Sequence, residues 1–192
     1  MLALALTLLL AGPQEVAEPK TGVALPARVS DMSLVGIGLR TKTFLKVKVY
    51  VVGLYVEDHA LSGLVSAHPS DLHSSAFYHD LVSGDFPKQV TLRFVRDVST
   101  DQIRDAFRET LPGANGKELE TFLGFFGDTH SGDTYEFKWA SGGGLETAVQ
   151  GQARPAIADR KFGEAVFNIW LGDKPVQEDI KRDLVARASA PR

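Results

Sequence analysis

Apolar and polar positions alternate most clearly between Lys42 and Asp58, where the chain reads KTFLKVKVYVVGLYVED. Leu45, Val47, Val49 and Val51 fall on one side of an extended backbone, and Lys46, Lys48 and Tyr50 on the other. That pattern predicts a long strand with a bend at Gly53. Met32 to Leu39 predicts a preceding strand, so the two should form an antiparallel hairpin closed around Thr41 to Thr43. Another strand is expected over Gln89 to Val98, with Val90, Leu92, Phe94 and Arg96 sharing a face. Asp133 to Ala140 alternates Tyr135, Phe137 and Trp139 and returns as Leu145 to Gly151 after a turn at Gly142 to Gly144. A short strand is expected around Pro155 to Ala158.

Helical spacing begins at Ser99-Thr-Asp-Gln102, where a hydroxyl with Gln three residues later matches a capping box. The helix it opens carries Ile103, Ala106, Phe107 and Thr110 and ends at Pro112-Gly113. Lys117 to Phe126 predicts a second helix. Phe162 to Leu171 predicts a third, apolar on most sides and therefore buried, stopped by Gly172. A last helix is expected from Pro175, as its first residue, to about Ala188. Strands and helices come in runs without regular alternation. That order predicts an α+β fold: one large antiparallel sheet with helices stacked on a face, in a single domain spanning 25–188.

The first dozen residues, MLALALTLLLAG, are apolar but shorter than the roughly 20 residues a membrane span needs. They fit the apolar region of a secretory leader, with cleavage expected near Ala11 to Gln14, although no Lys or Arg precedes them. The polar, Pro-containing stretch that follows reads as a linker, so residues 1–24 are set apart as leader and linker. The mature chain is then expected to be exported, to the periplasm or outside the cell, with no membrane span.

Composition narrows the chemistry. A net charge of −3 without a basic block gives no reason to expect nucleic acid. The absence of cysteine excludes disulfides, thiolate catalysis and thiolate zinc sites. Five histidines, His59, His68, His73, His79 and His130, show no metal-binding spacing, so neither a metal nor a cofactor is expected. Gly36-Ile-Gly38 lacks the third glycine of a dinucleotide loop and the Lys-Ser/Thr of a P-loop, and a strand follows it. Ser83-Gly and Ser131-Gly lack the Gly-x-Ser-x-Gly elbow.

Arg40 and Arg96 each end an apolar strand, and Tyr50 lies nearby in the pattern. A guanidinium beside an apolar wall suits a carboxylate or polarised carbonyl, which it can hold bidentately without losing charge. The same positions also suit structure: Arg96 could pair with Asp97, and Arg40 could cap a sheet edge. Residue types alone leave both readings open, with the structural one the commoner.

Four segments together resemble the chalcone isomerase family, especially its bacterial, chalcone isomerase-like branch. They are Gly36 to Arg40, Lys46 to Asp58, Val90 to Phe107, and FGEAVFNIWLGDKPV from Phe162 to Val176. The resemblance implies an open-faced β-sandwich: a long antiparallel sheet, a helical layer and a smaller sheet. It also implies one of two activities. True isomerases of the family close a chalcone to a flavanone, and non-catalytic members bind fatty acids. Arg40 matches the family's strand arginine. The isomerases' threonine position falls at Tyr50, their tyrosine near Arg96, their asparagine near Ile103, and a last polar contact about Gln177. Arg40 with Tyr50 resembles the pair that grips a carboxylate in the fatty-acid-binding branch.

The resemblance therefore implies a protein that binds a small apolar carboxylate in a cleft ending at Arg40 and Tyr50, and a monomer is expected. The alternatives are an intramolecular lyase acting on an enone or flavonoid-like ligand, which predicts a smaller planar cleft, and a scaffold, which predicts no cavity at Arg40.

Overall fold

The structure, a computed structural model, describes residues 14–42, 45–113, 116–139 and 142–189. The apolar leader lies outside the described residues, as do Thr43 of the expected hairpin turn and Ala140 of the expected strand. The stretch expected as linker is not one. It carries strand β1 (Glu15–Ala17), which pairs antiparallel with β2 (Ala24–Pro26). A buried carboxylate organises their turn: Glu18 accepts hydrogen bonds from the backbone N–H of Lys20 and Thr21 and from the Thr21 hydroxyl. A polar sequence here supplies turn hydrogen bonds rather than disorder.

Then follow β3 (Arg28–Val29), β4 (Met32–Lys42), β5 (Val47–Glu57), α1 (Asp58–Ala67), α2 (Ser75–Ser83) and β6 (Lys88–Phe94). The chain continues through α3 (Thr100–Thr110), α4 (Lys117–Leu123), β7 (Thr134–Trp139), β8 (Leu145–Val149), β9 (Gln152–Ala153), α5 (Arg160–Leu171) and α6 (Glu178–Asp183). Strands β3 to β9 form one antiparallel sheet in sequence order, seven strands wide. The expected α+β class and the open-faced sandwich are both realised, with helices on one face of the sheet and the β1–β2 pair on part of the other.

Central β5 shows why its sequence is nearly all apolar: Val51 to Val56 has both faces covered. Val52, Leu54 and Val56 face the helical layer with Val90, Leu92 and Phe137. Val51 and Tyr55 turn the other way, beside Leu25, Leu39, Met32 and Leu34, and the Tyr55 hydroxyl donates to the carbonyl of Pro26 at 2.9 Å. Gly53 is therefore not a bend. It pairs regularly with Ile37, and a Cβ there would stand 2.6 Å from the Leu25 side chain.

The irregularities lie elsewhere, between Leu34 and Gly36 and between Arg40 and Thr41. At the first, Val35 is the extra residue in β4, and its carbonyl accepts from the N–H of Arg187 at 2.8 Å. That contact holds the chain after α6 against β4. The approach is so close that a Cβ on Gly36 would sit 2.1 Å from the carbonyl oxygen of Asp183. Gly36 thus serves packing.

The Ser99–Gln102 capping box forms as expected, with the Ser99 N–H donating to Gln102 Oε1 at 3.2 Å. Other boundaries differ. β6 stops at Phe94, and Val98 makes only an isolated bridge to Thr129. Pro155 to Ala158 likewise contributes one bridge, Ile157 to Leu145. Pro175 lies in the loop before α6, whose N-cap is Gln177. Helices α1 and α2 were not foreseen. Their caps, Glu57 and Ser74, and the buried Phe77–Leu81 spacing of α2 are legible afterwards.

One cation is buried in the core. Lys88, 0% exposed on β6, donates to the carbonyl of Gly84 at 2.6 Å and lies over the rings of Phe86 and Trp139. Burial pushes its pKa down to about 7; Arg160 adds to the effect, and Glu164 and Asp85 oppose it.

Two outcomes follow from this packing. Gly36→Ala should cost about 3 kcal/mol, because backbone rather than a mobile side chain blocks the new methyl group. Urea unfolding should show a lower midpoint at unchanged slope. Lys88 is depressed in the folded state, so the stability tied to it is fully present above the ordinary lysine value near 10.5 and falls as pH drops towards about 7. The loss approaches about 1.4 kcal/mol per pH unit within that window. Lys88→Met should flatten that dependence, gaining most over the wild type at the low end, as read by urea unfolding from pH 7 to 10.

Candidate functional site

A cavity of about 640 Å³ opens between the sheet and the helical layer. Its floor is Arg40 and Lys42 of β4, Val47, Val49 and Tyr50 of β5, and Leu92 and Phe94 of β6. Its roof is the apolar stripe of α3, including Ile103, Ala106 and Phe107, together with Ile169 and Trp170 of α5. The volume falls within the roughly 300–1,000 Å³ of small-molecule sites.

The second bulge decides which side chains reach this space. Arg40 pairs with Tyr50 and Thr41 with Lys48, so Val49 is an extra residue in β5. A bulge of this kind resets the alternation of faces. Val47, Val49 and Tyr50 all line the cavity, whereas Lys48 turns away and donates to the carbonyl of Lys20 at 2.6 Å. The expected division, with Val47 and Val49 opposite Tyr50, is corrected by that single residue.

Arg40 and Tyr50 stand side by side as register partners. Guanidinium Nη1 of Arg40 donates to the carbonyl of Thr41 at 2.7 Å and to Gln177 Oε1 at 3.2 Å. Gln177 also accepts from the Thr41 N–H at 3.0 Å and donates to the carbonyl of Leu39 at 3.2 Å. It stands behind Arg40 as a brace and does not line the cavity. Among the described residues no carboxylate pairs with Arg40.

The Tyr50 hydroxyl oxygen accepts from the indole N–H of Trp170 at 3.1 Å. Burial raises its pKa above the usual phenol value; the Trp170 hydrogen bond and the charge of Arg40 oppose this. Tyr50 therefore keeps its proton at neutral pH, and among the described residues no acceptor takes that proton. A neutral O–H donor and a fixed guanidinium together present several N–H and O–H groups to one anionic oxygen pair.

The other expected residues divide. Ile103 is buried in the roof. Arg96 is exposed at the cavity wall, past the end of β6, and donates to the backbone carbonyl of Asp97 at 3.3 Å. The Asp97 carboxylate instead accepts from the N–H of Ser131, so the structural ion pair considered for Arg96 is not formed. Trp170, Lys42 and Lys174 were missed. A buried indole needs a partner for its N–H, and that requirement was a usable signal for Trp170. The two lysines carried none, since surface lysines are common everywhere. Four cations, Arg40, Lys42, Arg96 and Lys174, line the cavity against one acid, Glu109.

A largely apolar cavity carrying four cations, laid on an open-faced sandwich, has the form of a small-molecule-binding domain. Residues 14–186 match the family model described as chalcone isomerase-like. The chain belongs to the chalcone isomerase-like family. It is 25% identical to Fatty-acid-binding protein 1 of Arabidopsis thaliana over 92% of this chain and 71% of that protein. It is 28% identical to chalcone–flavanone isomerase 1B-2 of Glycine max over 86% of this chain and 84% of that one. The crystal structure of an Arabidopsis thaliana fatty-acid binding protein shares the fold at a TM-score of 0.79, with 22% identity, covering 91% of this chain and 97% of that chain.

Trp170→Phe removes the donor to Tyr50 and leaves a buried oxygen one hydrogen bond short. It should cost about 1 kcal/mol of stability by urea unfolding. Ionisation of Tyr50, followed by ultraviolet difference titration, should move to still higher pH.

Proposed function

We propose that the protein binds a fatty acid or similar apolar carboxylate without catalysis, with the carboxylate at Arg40 and Tyr50 and the chain along α3, Leu92 and Phe94. The observation that carries this reading is the Arg40 guanidinium, half-buried at an apolar cavity and without a carboxylate partner among the described residues. A half-buried cation in that position is stabilised by an anion the ligand would bring. The likeness to a fatty-acid-binding protein supports the same ligand class. The likeness of the four segments to bacterial members, with the apolar leader, supports an exported bacterial protein as the finer reading.

An isomerase reading keeps one supporting observation, the retained arginine in a chain 28% identical to a chalcone–flavanone isomerase. Arg96 and Ile103 count against it, because they stand where the family's isomerases carry a hydroxyl and an amide. Strong fixed donors favour holding an anion in its ground state, which does not by itself lower a barrier.

Native mass spectrometry of the purified chain, with extraction of what co-purifies, tests the proposal. A long-chain carboxylate is expected on the wild type. Arg40→Ala should weaken fatty-acid binding about 10- to 100-fold, from the loss of charge-assisted hydrogen bonds worth about 1.5–3 kcal/mol. A protein that carries no carboxylate and does not respond to added fatty acids would overturn the reading.

A further inference from the structure

We propose that Leu45 and Lys46, just before β5, with the adjoining cation-lined wall of the cavity, form a docking face for an anionic phospholipid bilayer. Leu45 is 70% exposed and is the one exposed large hydrophobic side chain among the described residues. Among the described residues every other leucine is buried or partly buried, so an apolar side chain held out at a turn requires an explanation. Lys46 follows it with φ 51°, and Lys42 and Lys48 lie on the two strands of the hairpin.

Lys42, Lys46, Lys48, Lys174 and Arg96 make no salt bridge among the described residues. Lys48 is tied only to the carbonyl of Lys20. The whole chain carries −3, so a cluster of unneutralised cations runs against its net sign. It therefore marks a local preference for an anionic surface.

A single leucine is too small an anchor for a protein partner, since specific interfaces bury about 800 Å² on each side. A bilayer makes no such demand for shape. It accepts a leucine among its acyl chains while lysine stems lie along the surface and their ammonium groups meet lipid phosphates. Each lysine near such a surface strengthens binding about fivefold, and the attraction is screened by salt. One apolar anchor with a few lysines gives weak, reversible attachment.

The position of Leu45 and Lys46 relates the two surfaces. Lys42 and Val47 belong to the hairpin and also line the cavity. Attachment through Leu45 would bring the cavity rim to the membrane, where an amphiphilic carboxylate of low solubility resides. This role in ligand exchange rests on the function proposed above, while the docking itself does not.

Sedimentation of the full chain with phosphatidylcholine vesicles, with and without phosphatidylglycerol, tests the docking face. Binding is expected only to the anionic vesicles and should be reversed by high salt. Lys46→Ala should weaken it about fivefold. Leu45→Asp should abolish it while leaving the circular dichroism spectrum and fatty-acid affinity in vesicle-free buffer unchanged. Failure of the wild type to bind anionic vesicles, or binding insensitive to Leu45→Asp, would overturn the proposal. Wild-type protein that sediments with vesicles but takes up no fatty acid would remove the ligand reading and leave the docking face standing.

Discussion

The extra residue Val49 in β5 sets the chemistry of the cavity. With strict alternation along this strand, either Tyr50 or the pair Val47 and Val49 would face the helices, but not both. The bulge beside Arg40 brings them to one side, so a hydroxyl and an apolar wall share the same space. It also sends Lys48 to the opposite face, where it anchors the turn of the small sheet. A strand that would otherwise mix charge into the cavity thus delivers one polar group at one position.

Around that point the protein is built to hold Arg40 without neutralising it. The Gln177 side chain has three hydrogen bonds to β4 and none to the start of its own helix. The close approach of α6 to β4 at Gly36 and the bond from Arg187 to Val35 keep Gln177 in place. Across the cavity, Trp170 fixes the Tyr50 oxygen from the buried helix α5. Both polar groups are therefore oriented by parts of the chain more than a hundred residues away, and both retain unused donor capacity towards the cavity. Such preorganisation is what a carboxylate site needs, since little ordering is left for the ligand to impose.

Under the proposed function, this arrangement suits ligand holding more than ring closure. The retained arginine would polarise any bound oxygen. The wall near Ile103, however, is apolar, and Tyr50 is a buried, protonated phenol whose oxygen is already engaged by the indole. The buried Lys88 does not line this cavity, and its depressed pKa bears on the pH dependence of stability instead.

The capping box at Ser99, the paired strands Thr134–Trp139 and Leu145–Val149 with their glycine turn, and the buried helix ending at Leu171 were all legible in the sequence, because each depends on neighbours within a few residues. The four family-like segments singled out Arg40 and Tyr50, which the sheet register sets side by side. Other features depended on contacts distant in sequence. Val49 faces the cavity because of how β5 registers against β4, and Gly53 is small because Leu25 packs on it. Arg96 donates to the backbone carbonyl of Asp97 while Ser131 takes the Asp97 carboxylate, and Trp170 meets Tyr50 across 120 positions. Periodicity reports which residues avoid water. Which face of a bulged strand they occupy, and which distant polar group satisfies them, is decided only when the sheet and the helical layer close on each other.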